Sequence, residues 1–188
     1  YCIQEGFNAS AATSKRQVIP ELKHGKVYDR LNLNDTTTCF DILSDTNVIL
    51  DASGLDQWAC KANQPEAIYV NIYRPALLLK LAAAAKVQRV VYLSSIQVFS
   101  EPENSVTPSE RSKAPKTMYG ISKLSGELAL QYIAQENDIE LVVLRLANIF
   151  GPQASFSDLQ PNLFVNILCK QLADHGRGKL KTPNAMRD

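Results

Sequence analysis

An α/β fold with a parallel sheet is predicted by three observations. Short apolar runs alternate with longer stretches of helical character along the 188 residues. Polar residues follow several of these runs, as they do at the carboxyl ends of parallel strands. Apolar residues make up 45% of the chain and charged residues 21%, which is typical of a globular protein with a sizeable core. The sequence therefore predicts a doubly wound parallel sheet with helices on both faces.

The N-terminal quarter has the weakest pattern. Residues 1–6 are interpreted as the end of a helix closed by Gly6, and residues 8–13 and 26–33 as strands. After one more helix, the apolar run 47–51 predicts a buried strand that ends at a turn. A doubly wound sheet normally begins with a strand and a glycine-rich turn before its first helix. The chain is therefore expected to begin after those elements.

The rest of the chain alternates regularly. Pro75 predicts a kink or a late start in a long helix rich in alanine and leucine, and residues 100–116, with three prolines, predict a loop. The elements predicted here are a helix over 65–86, a strand over 89–93, a helix over 117–135, a strand over 140–145 and a helix over 161–173.

Charge and cysteine content exclude several classes of protein. A net charge of +1 gives no sign of a nucleic-acid or membrane-surface partner, and no apolar run is long enough to span a membrane. No signal peptide is recognised at the N-terminus. The cysteines lack the spacing of a metal site or a disulfide framework, so we expect no metal and reduced thiols in a cytoplasmic protein. They are Cys2, Cys39, Cys60 and Cys169.

Tyr119 and Lys123 are the first candidate catalytic residues. On a helix they lie on one face, one turn apart, where the ammonium would favour the phenolate and lower the tyrosine pKa. Such a tyrosine can act as a general acid or base, and the lysine can bind a ribose hydroxyl. Because the chain has seven tyrosines, this spacing also arises by chance.

Ser95 and Asn148 follow two of the predicted strands. Parallel strands place ligand-binding groups at their carboxyl ends. Ser95 can therefore hydrogen-bond both a substrate oxygen and the tyrosine, and Asn148 can offer an amide to a substrate phosphate or hydroxyl. The plainer interpretation of both positions is the start of an ordinary loop.

Together these segments resemble the extended short-chain dehydrogenase/reductases, the NAD-dependent epimerase/dehydratase family that acts on nucleotide sugars. Ser95 lies in a segment similar to V-V-Y-x-S-S-x-x-V-Y, and Asn71 matches a helix asparagine of the family. The other matching segments are Tyr119 with Lys123, the R-x-x-N-x-y-G-P segment over 145–152, and the Arg-Asp pair at 187–188.

The resemblance implies a Rossmann-like fold and a nucleotide-sugar epimerase or reductase. Residues 1–150 would form an incomplete NAD(P)-binding domain, and residues 151–188 the beginning of a substrate-binding domain. Tyr119 would be the acid/base, Lys123 would hold the ribose, Ser95 would orient the sugar hydroxyl, and Asn148 would contact the sugar nucleotide. The helices carrying Asn71 and Tyr119 would form a homodimer interface.

Departures from the family pattern matter as much as the matches. The eight glycines never form the G-x-x-G-x-x-G loop that cradles a pyrophosphate, so the chain is expected to be the middle of a longer protein. Ile96-Gln97 stands where dehydratases carry Asp-Glu, which disfavours 4,6-dehydration. Asp51 replaces a common histidine, and Arg74-Pro75 replaces the usual Gly-Thr.

The cofactor is expected to be NADP or NAD. The basic run Ser14-Lys15-Arg16 stands where an acidic residue would bind the NAD ribose, and it favours the 2′-phosphate of NADP. The other cofactor contacts implied by family position are Asn32, Ala52, Ser53, Gly54, Asn71, Tyr119 and Lys123. A non-catalytic dinucleotide-binding protein and an inactive fragment of such an enzyme remain the alternatives.

Overall fold

The computed structural model describes residues 9–12, 26–28, 31–99, 113–149 and 164–179. Strands and helices alternate in these ranges. The strands are β1 (Ala11–Ala12), β2 (Val27–Tyr28), β3 (Val48–Asp51), β4 (Arg89–Ser95) and β5 (Glu140–Leu146). The α-helices are α1 (Thr36–Leu43), α2 (Gln57–Ala62), α3 (Gln64–Ile68), α4 (Arg74–Ala84), α5 (Met118–Asn137) and α6 (Phe164–His175).

The strands pair in parallel, which confirms the predicted α/β fold. β3, β4 and β5 form one sheet in that order, with Val91 at its centre opposite Leu50 on one side and Val142 on the other. β1 and β2 form a separate parallel pair. Because parallel strands end at the same edge, Asp51, Ser95 and Leu146 mark one carboxyl edge of the larger sheet.

The N-terminal quarter differs from its predictions in detail. The strands expected over 8–13 and 26–33 shrink, among the described residues, to two residues each, and Asn32 lies in a turn before α1. The Asp35 carboxylate caps α1 by accepting the Thr38 amide, so local polar chemistry outweighs strand propensity there. The helix end expected at Gly6 lies outside the described residues.

The irregularity expected at Pro75 takes the form of a π-helical turn. Tyr69–Tyr73 joins α3 to α4, and the Arg74 amide reaches back five residues to the Tyr69 carbonyl. Pro75 has no N–H to offer the Asn71 carbonyl, its partner in a regular helix. The Tyr92 hydroxyl donates to that carbonyl instead, at 3.2 Å. Gly126 of α5 packs so closely here that a Cβ would lie 2.5 Å from the same oxygen.

The two faces of the larger sheet are unequal. Val90, Tyr92 and Ser94 alternate on the face that α4 and α5 cover, and all three are buried. On the opposite face, Val48 and Leu50 are 51% and 61% exposed. The prediction of a fully buried third strand is therefore wrong for these alternate positions, because none of the described elements packs over them.

A continuous core lies between the sheet and its helices. Leu79 and Ala82 of α4 and Leu130 of α5 pack against Val90 and Tyr92 of β4. The buried stripe of α5 changes along its length, since its N-terminal half carries polar groups and its C-terminal half Leu130 and Ala134. The polar half therefore lies toward the carboxyl edge of the sheet. None of the helices in the described ranges is long and apolar enough to cross a membrane.

Candidate functional site

The first turn of α5 brings Tyr119 to the end of β4. Thr117 caps the helix by accepting the Gly120 amide at 3.1 Å. Gly120 then lies directly against the loop after β4, where any Cβ would overlap the Gln97 backbone oxygen. The absence of a side chain at position 120 therefore allows the tyrosine and the strand end to come together.

The Ser95 hydroxyl lies beside the Tyr119 hydroxyl, where it acts to lower the tyrosine pKa. The hydrogen bond between the two side chains that the sequence suggests stays a prediction. The Ser95 hydroxyl also accepts the Gln97 amide at 3.2 Å, which fixes the orientation of its oxygen. Burial raises the pKa of Tyr119 above its ordinary value, and the neighbouring Ser95 hydroxyl partly offsets this rise. The site therefore holds a proton on the tyrosine that a neighbouring oxygen can exchange.

Lys123 is buried beside this pair, with 4% of its surface exposed. Its ammonium donates to the Leu93 carbonyl at 3.0 Å and lies 4.7 Å from the centre of the Tyr92 ring. Burial lowers the pKa of Lys123, and the nearby Asp51 carboxylate opposes that shift. The prediction that Lys123 lowers the pKa of Tyr119 is wrong for this structure, since burial dominates and raises it.

Asn71 lies in the π-helical turn and is almost completely buried. Its side-chain oxygen accepts the Leu55 amide at 2.9 Å, and its amide nitrogen donates to Ser122 at 2.9 Å. Cys60 receives a further contact at 3.4 Å. The side chain thus ties the loop after β3 to α5, and the cofactor contact expected for Asn71 stays a prediction.

The loop after β3 forms the rim of the site. Ser53 donates its amide and its hydroxyl to the Asp51 carboxylate, at 2.9 and 2.6 Å, which makes a tight turn at the strand end. Ala52, Ser53 and Gly54 are exposed. A Cβ at Gly54 would lie 3.0 Å from the Lys123 ammonium, so the backbone of the loop packs closely against the lysine.

The other predicted residues fall in different places. Asn148 follows β5 and is exposed at the carboxyl edge of the sheet, as expected. Asn32 is exposed before α1, where its side-chain oxygen accepts the Asn34 amide at 3.1 Å. Residues 14–16, from which NADP was favoured, lie outside the described residues. The binding roles of all these residues stay predictions.

Sequence reasoning missed Glu127 and Ser94. Glu127 is 1% exposed and accepts the Ser94 hydroxyl at 2.6 Å. It also forms a salt bridge of 2.7 Å with Arg145, a residue of the R-x-x-N segment to which no role was given. Its position four residues after Lys123 and eight after Tyr119 places it on the same helix face, and this spacing was the available signal.

The sequence is similar to those of curated enzymes. Human dTDP-D-glucose 4,6-dehydratase is 27% identical over 121 residues, which cover 63% of this chain and 34% of that enzyme. UDP-glucose 4-epimerase of Vibrio cholerae is 32% identical over 105 residues, which cover 53% of this chain and 32% of that enzyme. The chain thus spans about a third of the length of these curated relatives.

The same fold occurs in solved structures. MoeE5 in complex with UDP-glucose and NAD superposes with a TM-score of 0.71 at 24% identity, covering 90% of this chain and 54% of that one. The family model described as "NAD dependent epimerase/dehydratase family" matches residues 2–188, nearly the whole sequence. On this match, and with its Rossmann-like parallel sheet, the chain belongs to the NAD dependent epimerase/dehydratase family.

Proposed function

We propose that this chain carries the catalytic core of a nucleotide-sugar epimerase or reductase that uses NAD or NADP. The observation that supports the proposal most is the meeting of Ser95, Tyr119 and Lys123 at the carboxyl end of β4, where the Ser95 hydroxyl lies beside that of Tyr119. Because the chain spans only part of its relatives, the activity belongs to the complete polypeptide of which these residues would form the centre.

The residues around Lys123 fit the nicotinamide half of a dinucleotide. Among the described residues, Leu93 is the one acceptor to which the ammonium donates, so further N–H groups can serve ribose hydroxyls. A bound nicotinamide would take a hydride from a sugar carbon, or deliver one to it. A pyrophosphate-binding glycine loop does not occur in the sequence given.

Tyr119 would move the accompanying proton. When the sugar carbon is oxidised, the phenolate takes the hydroxyl proton, and when the carbonyl is reduced, the phenol returns it. The pKa of Tyr119 is raised by burial, so the hydroxyl holds its proton at neutral pH. A cationic ring held next to it would favour the phenolate by charge proximity. Ser95 would donate to the same sugar oxygen and orient it.

Epimerisation or simple reduction is favoured over dehydration. Some relatives are dTDP-glucose 4,6-dehydratases, and others are UDP-glucose epimerases. Removing water from a sugar requires an added acid and base beside the sugar. Ile96 and Gln97 occupy the short 3₁₀ turn after Ser95, where the dehydratase branch carries Asp-Glu, and neither can transfer a proton. An epimerase and a reductase use Ser95 and Tyr119 in the same way.

Different observations support NAD and NADP as the cofactor. MoeE5, whose fold this chain shares, was solved with NAD, which supports NAD. Lys15 and Arg16 support NADP if they lie beside the adenosine ribose. The experiment is to titrate the complete protein and its Lys15→Ala variant with NAD and with NADP, and to compare the dissociation constants. Tighter binding of NADP that is lost in the variant would support the basic run.

A homodimer through α5 and the π-helical turn is part of the proposal. Their outer surfaces carry exposed apolar side chains at helical spacing, and the Tyr69 and Tyr73 rings stack with centroids 5.5 Å apart. The others are Ile121, Leu128 and Tyr132 of α5, and Ile68 at the end of α3 lies next to the π-helical turn. An apolar surface of this kind is typical of protein interfaces. Light scattering should give twice the chain mass, and Leu128→Asp should give the monomer.

The test of the proposed function is Tyr119→Phe in the complete polypeptide. Turnover of UDP-glucose or a related nucleotide sugar should fall by about 10²- to 10⁴-fold, since the acid/base is lost. Cofactor binding should stay within about twofold, because the ring and Lys123 remain. Gln135→Ala, on an exposed part of the same helix outside the proposed interface, is the control. Equal turnover in both variants would refute the proposal, and binding without turnover in the wild type would favour a dinucleotide-binding protein.

A further inference from the structure

Glu127 is a buried carboxylate that the proposed chemistry does not use. Both of its oxygens have partners: Oε1 accepts the Ser94 hydroxyl at 2.6 Å and the Arg145 Nε at 3.0 Å, and Oε2 accepts the Arg145 Nη2 at 2.7 Å. A buried charge is stable only when it is paired and hydrogen-bonded. The two parallel hydrogen bonds between the Arg145 guanidinium and the Glu127 carboxylate satisfy that requirement. They fix the relative orientation of the two side chains as well as the distance between them.

The two partners of Glu127 belong to neighbouring strands of the candidate site, and one of them contacts the loop that follows β4. Ser94 and Arg145 are register partners at the carboxyl ends of β4 and β5. The Arg145 guanidinium also lies 5.0 Å from the ring centre of Phe99, which follows the 3₁₀ turn after Ser95. One carboxylate on α5 therefore holds both strand ends and the loop between β4 and α5.

These contacts lie directly next to the residues proposed for catalysis. Ser94, which donates to Glu127, directly precedes Ser95 at the end of β4. Asn148 follows Arg145 by three residues. Lys123 and Tyr119 lie one and two turns before Glu127 on the same helix. A shift of Glu127 against either strand would move Ser95 or Asn148 relative to Tyr119.

We propose that Glu127 and Arg145 act as a positioning pair that keeps Ser95 and the Asn148 segment aligned with Tyr119 and Lys123. Neither residue touches substrate or cofactor in this role. The proposal rests on the proposed function, because alignment matters for rate only if these groups carry the reaction. A misplacement of about 1 Å can lower a rate by about 10²-fold.

The chain offers a matched control on the same two strands. Arg89 and Glu140 are register partners at the opposite ends of β4 and β5, and their ion pair measures 2.8 Å. Their side chains are 48% and 53% exposed, compared with 27% and 1% for Arg145 and Glu127. The two pairs have the same charges but differ in burial and in their distance along the strands from Ser95. The same substitutions in both pairs therefore show whether an effect on activity comes from the place of the pair in the site or only from the loss of an ion pair.

The experiment compares Glu127→Gln and Arg145→Lys with Glu140→Gln and Arg89→Lys in the complete polypeptide. For both site variants we expect kcat to fall by about 10- to 100-fold, with the NAD dissociation constant within about twofold. The two control variants should keep both constants within about twofold. A site variant that is less stable but has wild-type kcat and KM would overturn the proposal, because the pair would then only support the fold.

A second measurement needs no activity. The Gln97 amide donates to the Ser95 hydroxyl, so its hydrogen exchange reports on the alignment of Ser95. Glu127→Gln should speed this exchange at least about tenfold relative to Glu140→Gln, and equal rates would overturn the proposal. If Glu127→Gln fails to fold, Ser94→Ala, which removes one contact only, takes its place with the same expectations. Absence of turnover in the wild type, with altered exchange in the variants, would refute the proposed function and leave the alignment supported.

Discussion

The two faces of the β3–β4–β5 sheet differ in the side chains that they carry and in how far the helices bury them. The face toward α4 and α5 buries polar groups, and each has a partner: the Tyr92 hydroxyl bonds the Asn71 carbonyl, and Ser94 bonds Glu127. The opposite face carries aliphatic side chains that the described residues leave partly exposed, such as Leu50 and Leu144. A fold can bury polar groups where helices supply partners at fixed positions. The helix-covered face is therefore where structure and candidate chemistry are coupled.

The largest effect on stability is expected from Gly126→Ala. The new Cβ would lie 2.5 Å from the Asn71 oxygen and 3.0 Å from the Tyr92 hydroxyl, so α5 or the π-helical turn must move. Overpacking of this kind should lower the free energy of unfolding by about 3 kcal/mol, after the gain in helix propensity. Chemical denaturation measures it, with exposed Gln135→Ala on the same helix as the control. A change below about 1 kcal/mol would mean that the contact is looser than described.

A direct comparison of the faces comes from two identical substitutions. Val90→Ala, on the covered face with 2% exposure, should cost about 2 kcal/mol of unfolding free energy. Val48→Ala, on the other face with 51% exposure, should cost at most about 0.5 kcal/mol. Both values come from denaturation of the 188-residue chain. Equal losses would show that the second face is covered as well, and the contrast would fail.

Tyr92→Phe tests how much a single buried hydroxyl contributes to the free energy of unfolding. The ring stays in the core and over Lys123, but the Asn71 carbonyl loses its donor, which should cost about 1 to 2 kcal/mol. Tyr132→Phe removes the same atom from a side chain that is 65% exposed, and it should be neutral. If both variants match the wild type in thermal and chemical unfolding, water or another donor satisfies the carbonyl.

The smallest effect concerns the pH dependence of stability at Cys60. Burial raises the pKa of this thiol above its ordinary value of 9.0, so the folded state retains the proton when the unfolded state has lost it. The contribution to stability is present below the ordinary pKa and is lost as pH rises through the raised one. Cys60→Ala and Cys60→Ser should therefore lose less stability than the wild type between about pH 8 and pH 10. If the stability of the variants and of the wild type changed in the same way with pH, the raised pKa of Cys60 would be contradicted.

The sequence predicted the structure best where a local pattern of residues determines a single element or helix face. Apolar runs predicted β4 and β5, and the Tyr119–Lys123 spacing predicted the helix face that meets Ser95. The direction of the Tyr119 pKa shift was not predictable, because it depends on burial by residues distant in sequence. The ion pair of Glu127 with Arg145 was missed for the same reason, since Glu127 lies on α5 and Arg145 on β5. The short strands β1 and β2 carry too few residues for periodicity to define them.

The π-helical turn also has a consequence for how this chain can change over evolution. Such a turn holds one more residue than a regular helical turn would over the same distance. Deleting one residue between Tyr69 and Tyr73 would convert it to a regular turn and leave α3 and α4 in phase with each other. A homologue without Pro75 has an amide at that position that can bond the Asn71 carbonyl within a regular helix. Alignments of such homologues with this chain should therefore show a one-residue gap here.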